Sequence, residues 1–242
     1  MSKEPHLTRH AVIGMTGLCL MLASLFLFWV KEQQRWSRRG MRRAAMRQIG
    51  LALHNFSDIY GRLPPAVRRD EFGRPLCSWR FQILPLLEAV MMGIETADRW
   101  DDPANRWWIT GPHPVYCFFP EKPFPQRVRT NVVAVTGPGT AFDEEFTFSL
   151  GDLDDDTILV IDVADSDVHW MEPGDLDVRD LEQSVVQGVD GDGIHVLFAD
   201  GEVWFLSSQT PLKDLKPFFT VDGARQFDRQ DVLAPYALPR SF

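Results

Sequence analysis

"MRQIGLALHNFSDIYGRLPPA", residues 46–66, has the pattern of a long amphipathic helix that stops against two prolines. Apolar residues recur at steps of three or four and predict one apolar stripe, formed by Met41, Ala45, Ile49, Ala52, Phe56 and Ile59. Gly61 suits the position after a helix, and a proline cannot continue one because it lacks the amide hydrogen. We therefore predict a basic amphipathic helix over residues 31–61 that packs on the rest of the chain.

Residues 11–30, "AVIGMTGLCLMLASLFLFWV", precede this helix and contain no charged residue. As a helix they would span about 30 Å, the thickness of the hydrocarbon core of a bilayer. A buried helix of a soluble protein normally shows a polar face, and this segment has none. A cleaved signal peptide is the other alternative, but the apolar run continues past the small residues at 22–24. The sequence predicts a retained transmembrane helix at 11–30 after a tail at 1–10.

The net charge of −9 hides an asymmetry along the chain. Residues 1–49 contain nine Lys or Arg and two acids, whereas the remainder contains 16 basic and 32 acidic residues. An acidic body repels nucleic acid, and basic residues beside an apolar segment fit lipid headgroups. We expect the lipid bilayer as a partner, envelope proteins or self-association as further partners, and no nucleic acid.

The rest of the chain predicts an α+β fold with a mainly antiparallel sheet. Apolar runs at 130–137 and 157–163 predict central strands, and residues 193–206 predict a hairpin with a type I′ turn at Asp200-Gly201. Residues 78–92 and 212–219 read as short helices, and 98–130 as an irregular packed region. These elements predict a globular domain at 62–221 and a loosely packed tail at 222–242.

Six stretches in order resemble the prepilin-like family that carries the domain of unknown function 1559 and a C-terminal H-x9-DG signature. They are residues 48–66, 78–88, 99–108, 130–142, 151–166 and 195–207. The resemblance implies a pseudopilin-like layout, in which a membrane-spanning N-terminal helix packs its soluble half on an exported globular domain. It implies no particular activity.

Two features depart from the family pattern. Residues 7–17, "LTRHAVIGMTG", lack the prepilin peptidase site, a glycine followed by Phe-Thr-Leu-x-Glu. Asp190 stands where the signature histidine would be, ten positions before Asp200. We therefore expect neither prepilin cleavage nor a function that needs that histidine.

Charge and resemblance disagree about membrane orientation. Two Lys or Arg precede the span and seven follow it closely, so the positive-inside rule places the globular part in the cytoplasm. The resemblance implies export. We expect a single-pass inner-membrane protein of the bacterial cell envelope with an exported globular domain.

Candidate chemical groups are few. His54 either pairs with Asp58 on the helix or caps a neighbouring loop. The acidic runs at 151–157 and 162–167 are either turns or a Ca²⁺ site; the spacing at 151–157 lacks the glycine and distal glutamate of a helix-loop-helix calcium site, and such aspartates are typical of turns. Residues 190–193 form either a turn or a metal-binding loop. Cys77 and Cys117 form either a disulfide or two buried thiols.

No nucleophile elbow, phosphate-binding loop or zinc-type Cys/His spacing is present. We expect a membrane-anchored structural or interaction protein that is not an enzyme, with no catalytic, cofactor-binding or metal-binding residue. The alternative is an extracytoplasmic ligand-binding domain that uses the Trp/Pro-rich region 98–125, where Trp100, Trp107 and Trp108 either line a groove or pack the loops.

Overall fold

The computed structural model describes residues 6–87, 99–189 and 191–238, with side chains from Gly14 onward. Helix α1 runs from His6 to Tyr60. The chain forms two compact units that divide within this helix, one up to Met41 and one from Arg42 to Arg240. The second unit therefore begins about three turns after the start of the predicted amphipathic segment, and not at residue 62.

In the second unit, α1 buries one face. Its buried apolar residues are Ala45, Met46, Ile49, Ala52, Leu53 and Phe56. The predicted stripe is therefore partly wrong, because Met41 and Ile59 are each 61% exposed. Met46 and Leu53 are buried instead. The buried face of α1 is wide enough to include two adjacent residues in a turn, such as Ala52 and Leu53. Gly50 allows close approach, since a Cβ there would lie 3.0 Å from Leu197 Cδ1.

A small hairpin and two short helices follow α1. Strands β1 (Val67–Arg69) and β2 (Pro75–Ser78) are antiparallel, and they lead into α2 (Trp79–Gln82) and α3 (Leu84–Leu87). These helices account for the described part of the predicted helix at 78–92, and residues 88–92 lie outside the described residues. The region 99–130 is largely irregular, as predicted, with one short helix, α4 (Arg106–Thr110).

The main sheet has five strands in the order β5-β3-β4-β6-β7. Their bounds are β3 Val132–Thr136, β4 Ile158–Asp162, β5 Leu176–Asp177, β6 Gly193–Phe198 and β7 Val203–Ser207. The pairings β3-β4, β4-β6 and β6-β7 are antiparallel, and β5 pairs with β3 in parallel. The fold is α+β with a mixed, mainly antiparallel sheet, as the sequence predicted.

Both faces of the sheet are covered. Leu159, Leu197 and Val203 belong to the core that contains the buried residues of α1. Alternate positions point the other way, because successive side chains of a strand lie on opposite faces. Val133, Ile161, Val196 and Trp204 are paired in register across four strands and belong to a second core. That core includes Leu215, Phe218, Phe219 and Leu233 from the C-terminal segment.

The turn of the β6-β7 hairpin is not of type I′. Such a turn needs positive φ at both central residues, but the only described non-glycine residue with positive φ is Asp167. Gly201 has φ +83°, its N–H donates to Phe198 O (3.0 Å), and Phe198 N–H donates to Glu202 O (3.0 Å). These bonds define a three-residue loop with a bulge at Gly201. Only the glycine then needs the left-handed conformation, so Asp200 avoids that cost.

The C-terminal segment to residue 238 is packed, so the expectation of a loose tail is wrong for 222–238. It forms α5 (Leu212–Leu215), α6 (Val221–Ala224) and α7 (Arg229–Val232). Arg229 forms ion pairs with Asp156 and Asp200, and its guanidinium lies over the Phe198 ring at 4.6 Å. The sequence prediction failed because the segment shows no periodicity, and its attachment depends on contacts with residues far away in sequence, made by Arg229 and by the buried Leu233. Residues 239–242 lie outside the described residues.

We expect Arg229→Ala to lower the free energy of unfolding by about 2 kcal/mol, because it leaves half-buried carboxylates without their charge partner. Arg225→Ala is the matched control, with an expected change below about 0.5 kcal/mol, since the Arg225 side chain is 51% exposed. Urea unfolding of the full chain in detergent, followed by tryptophan fluorescence, measures both. Equal losses in the two variants would contradict the packed C-terminal segment.

Cys77 and Cys117 are both buried as free thiols. Burial raises the pKa of the Cys77 thiol to about 11 and that of Cys117 to about 12. Few thiolates therefore exist near neutral pH, and the thiolate is the reactive form.

In a Cys19→Ser background, we expect a thiol-specific dye at pH 8 to label neither cysteine of the folded chain within minutes. Denaturation in guanidinium should then expose two thiols per chain. Fast labelling of the folded protein, or fewer than two thiols after denaturation without a reductant, would contradict two buried free cysteines.

Candidate functional site

The first unit presents an apolar surface. Residues 14–29 are uncharged and exposed in the described structure, and the large side chains among them are between 53% and 73% exposed. An 18-residue window of this helix has a mean hydropathy of 1.7 and no part buried within the chain. By length and composition, the helix can cross a membrane. The exposed apolar stretch is the candidate functional site of this unit.

Basic side chains follow the apolar stretch along α1. Arg38 and Arg47 are exposed, whereas Arg42, the first residue of the second unit, is 4% exposed. The Arg42 guanidinium lies 6.0 Å from the centre of the Phe118 ring. The apolar stem of an arginine can pack on a protein surface while its charge stays near water or an aromatic ring. Basic residues thus line the helix where it enters the second unit.

Contacts made by α1 fix the level of each loop along the helix. Phe118 lies at Arg42, the β6-β7 turn lies at His54, and Leu150 N–H donates to Ser57 Oγ near the helix end (3.1 Å). Arg42 and Ser57 are separated by fifteen positions, about 22 Å of helix. The loop around Phe118 therefore lies at the end where the helix enters the unit.

His54 is a loop cap. Its Nε2 lies 2.9 Å from Ala199 O, to which it donates a hydrogen bond. Of the two alternatives that the sequence left open, this is the cap of a neighbouring loop. The bond secures the β6-β7 turn against α1, so it explains His54 without a catalytic role.

The three tryptophans proposed for a groove do not share one surface. Trp107 is 81% exposed. Trp100 stacks on His169 with ring centres 5.0 Å apart, and Trp108 meets Trp170 edge to face at 6.4 Å. Trp100 and Trp108 pack against the core. The ligand-binding alternative therefore has no geometric support among the described residues of 98–125.

Two histidines occupy structural positions. His169 Nε2 donates to Ile109 O (2.9 Å) while Nδ1 accepts from Met171 N–H (3.1 Å), and burial lowers the pKa of this histidine. His195 lies on β6, where its backbone N–H and its Nδ1–H donate to the two oxygens of Asp162 (2.7 and 2.8 Å). Both side chains of this pair are at most 2% exposed. The pair ties β4 to β6 inside the sheet.

The acidic runs act mainly as turns and caps. Asp152 caps the turn at Ser149, and the Asp154 carboxylate accepts from Asp156 N–H (3.0 Å). Burial raises the pKa of Asp156, which binds Arg229. Among the described residues, no group of three or more His, Cys, Asp or Glu is arranged to hold a metal ion. Asp190 lies outside the described residues.

Arg80 and Asp175 form a buried ion pair that the sequence analysis missed. The Arg80 side chain is 0% exposed and that of Asp175 is 3% exposed, with Nη1 2.6 Å from Oδ1. All five N–H donors of Arg80 are used, with acceptors on Trp170, Val132, Asp175, Glu172 and Gly174. Burial raises the pKa of the Asp175 carboxyl, and the Arg80 charge acts in the opposite direction.

This pair joins the irregular segment at 170–175 to strand β3, because Arg80 donates to Val132 O and Asp175 accepts from Ala134 N–H. Four of the five acceptors are backbone carbonyl oxygens, and Tyr116 O–H donates to Arg80 O (2.9 Å). The available signal was a lone charged residue within the mainly apolar "SWRFQIL" (78–84). A charged residue in such a run is either exposed or fully paired, and only the tertiary structure decides which.

Residues 37–153 match the model of a family described as "Protein of unknown function (DUF1559)". This segment is similar to that family. The matched segment begins in the second half of α1 and includes the small hairpin and strand β3. It ends within the acidic run at 151–157. It agrees with the family that the sequence motifs indicated, and the description assigns no activity. The chain matches no curated protein and no solved structure.

We expect Arg80→Lys to lower the free energy of unfolding by about 3 kcal/mol, because an ammonium cannot reproduce five planar donors in a buried site. Arg74→Lys is the control, since Arg74 pairs with Asp70 on the surface and its side chain is 69% exposed. Its expected change is below about 0.5 kcal/mol. Urea midpoints measure the difference, and a small effect at Arg80 would argue against a loop-fixing role.

Proposed function

We propose that this chain is a single-pass membrane protein whose N-terminal helix anchors the globular unit, which has a structural or interaction role and performs no catalytic step. The observation that carries the proposal is the exposed, uncharged face at residues 14–29. Exposure of that much apolar surface to water is unfavourable by about 25 cal/mol per Å², and lipid chains remove the cost. The basic residues that follow suit the headgroup layer.

The pseudopilin-like arrangement is part of this proposal. The family resemblance supports it, together with a continuous helix that is apolar first and packed on a sheet later. An exported globular unit is proposed from the resemblance. An acidic surface suits a partner protein or an envelope component, since residues 143–202 contain nineteen Asp or Glu and one basic residue, Arg179.

The non-enzymatic role is supported by how the titratable groups are engaged. His54 caps a loop, His169 bonds a backbone carbonyl, and His195 pairs with Asp162 inside the sheet. A general acid or base needs a position from which it can reach a substrate. These three histidines are instead engaged in holding the fold.

We expect the full chain to remain in the membrane fraction after an alkaline carbonate wash. Leu20→Arg with Leu25→Arg should release it or block its insertion, since each central arginine costs roughly 2.5–3.5 kcal/mol in a membrane helix. Leu51→Arg with Ile59→Arg is the matched control on the same helix, where the side chains are 64% and 61% exposed. Recovery of the wild-type chain in the aqueous fraction without detergent would overturn the anchor.

Orientation has its own test. Alkaline phosphatase fused after Phe242 should be active in cells, and a green fluorescent protein fused at the same place should be dark, if the globular unit is exported. The reverse pattern would retain the anchor and reject export.

A further inference from the structure

The second unit has an aromatic and basic surface at the end where α1 enters it. We call this surface the loop face. It consists of Arg106, Trp107, Phe119, Lys122, Phe124 and Arg127. Trp107 and Phe124 are 81% and 55% exposed, and Arg106 and Lys122 are exposed.

One hydrogen bond joins the two segments that carry these residues, and a ring contact links two of them. Arg127 Nη2 donates to Thr110 O at the end of α4 (2.9 Å), which joins the loop at 122–128 to the helix that carries Trp107. Lys122 Nζ lies 4.2 Å from the centre of the Phe119 ring. The neighbouring Phe118 lies against Arg42, so the loop face is at the entry level of α1.

The charge of this region is opposite to that of the segment that follows. Residues 99–129 contain five Lys or Arg and three acids, whereas residues 130–242 contain six Lys or Arg and 23 acids. Exposed tryptophan and phenylalanine beside lysine and arginine are typical of surfaces that rest in the interface of a membrane. Anionic headgroups attract the basic side chains, and the acidic remainder is repelled from them.

Chain continuity indicates what covers this surface. Arg42 follows the end of the apolar run at Val30 by only twelve residues, which is at most about 18 Å of helix. The headgroup layer occupies several ångströms of that distance. A bilayer entered by the apolar helix is therefore within reach of the loops at the entry level.

We propose that the loop face docks on the anionic headgroup layer of the membrane and so orients the globular unit. The inference rests on the proposed membrane anchor and adds a second, reversible contact. Trp107 and Phe124 insert at the interface, and Arg106, Lys122 and Arg127 contact lipid phosphates. Lys213 and Lys216 are not part of the loop face, since they lie on the C-terminal segment that covers the sheet face opposite to α1.

The test uses the full chain in lipid nanodiscs of phosphatidylcholine with about 30% phosphatidylglycerol, and in discs of phosphatidylcholine alone. The fluorescence difference between the wild type and Trp107→Phe isolates the signal of Trp107. We expect lipids with a nitroxide on the headgroup to quench this signal in the anionic discs, and aqueous acrylamide to quench it less than in detergent. In discs without phosphatidylglycerol, nitroxide quenching should fall by about half or more.

Charge reversal supplies the matched comparison. Arg106→Glu with Lys122→Glu should abolish the nitroxide quenching of Trp107 in anionic discs, whereas Lys213→Glu with Lys216→Glu, which changes the net charge equally, should leave it unchanged. Equal urea midpoints show that both variants are folded. Equal effects of the two pairs would overturn the proposal, because net charge and not the loop face would then be responsible.

A separate reading distinguishes failure of the docking from failure of the anchor. The difference between the wild type and Trp29→Phe isolates Trp29, which bromine on the lipid chains should quench. If Trp29 is quenched and acrylamide quenches Trp107 in the discs as strongly as in detergent, the docking proposal is wrong and the anchor stands. If Trp29 is not quenched, the anchor itself fails. Protection of Trp107 that needs an added protein and no anionic lipid would assign the loop face to a protein partner, and overturn the lipid proposal.

Discussion

Burial of one face of α1 against the sheet is the contact on which the rest of the second unit depends. Met46, Ile49 and Leu53 are fully buried, and each contributes about 1.5–3 kcal/mol when removed from water. The C-terminal segment covers the outer face of the sheet. The inner face depends on α1, because the buried residues of the helix belong to its core. The C-terminal half of α1 thus packs on the protein, whereas residues 14–29 of its N-terminal half expose uncharged side chains. The helix that closes the core is continuous along the chain with the exposed apolar stretch.

Polar contacts fix the loops around the sheet, which hydrophobic burial alone does not hold in one arrangement. The sheet is small, and long irregular segments surround it. Arg80 donates to three backbone carbonyl oxygens of such a segment and to one at the start of β3, and Arg229 joins the acidic run and the hairpin turn to α7. A buried guanidinium is costly unless every donor is satisfied, so these contacts also select one arrangement of the loops.

Prediction succeeded where the signal is local and periodic. The strands β4, β6 and β7 and the long helix follow from alternation and from apolar spacing. The turn at Asp200 was placed correctly but its type was wrong, because a type I turn with a glycine bulge and a type I′ turn share the same Asp-Gly signature. The attachment of residues 222–238 was missed, because it depends on Arg229 meeting Asp156 and Asp200, which are far away in sequence. Trp100 and Trp108 could not be separated from Trp107 by composition, since three neighbouring tryptophans differ only in what packs on them.

The sequence by itself determined the order of the molecule: an apolar segment of membrane-crossing length, a basic amphipathic continuation and an α+β body with an acidic C-terminal half. These properties depend on composition and short-range periodicity, which act along the chain. Only the tertiary structure decided which face of α1 is buried, that Arg80 is an interior residue, and that the loop at Phe118 lies beside Arg42. The physical reason is that these facts depend on contacts between segments distant in sequence, and no local pattern specifies the partner of a buried charge or of an exposed ring.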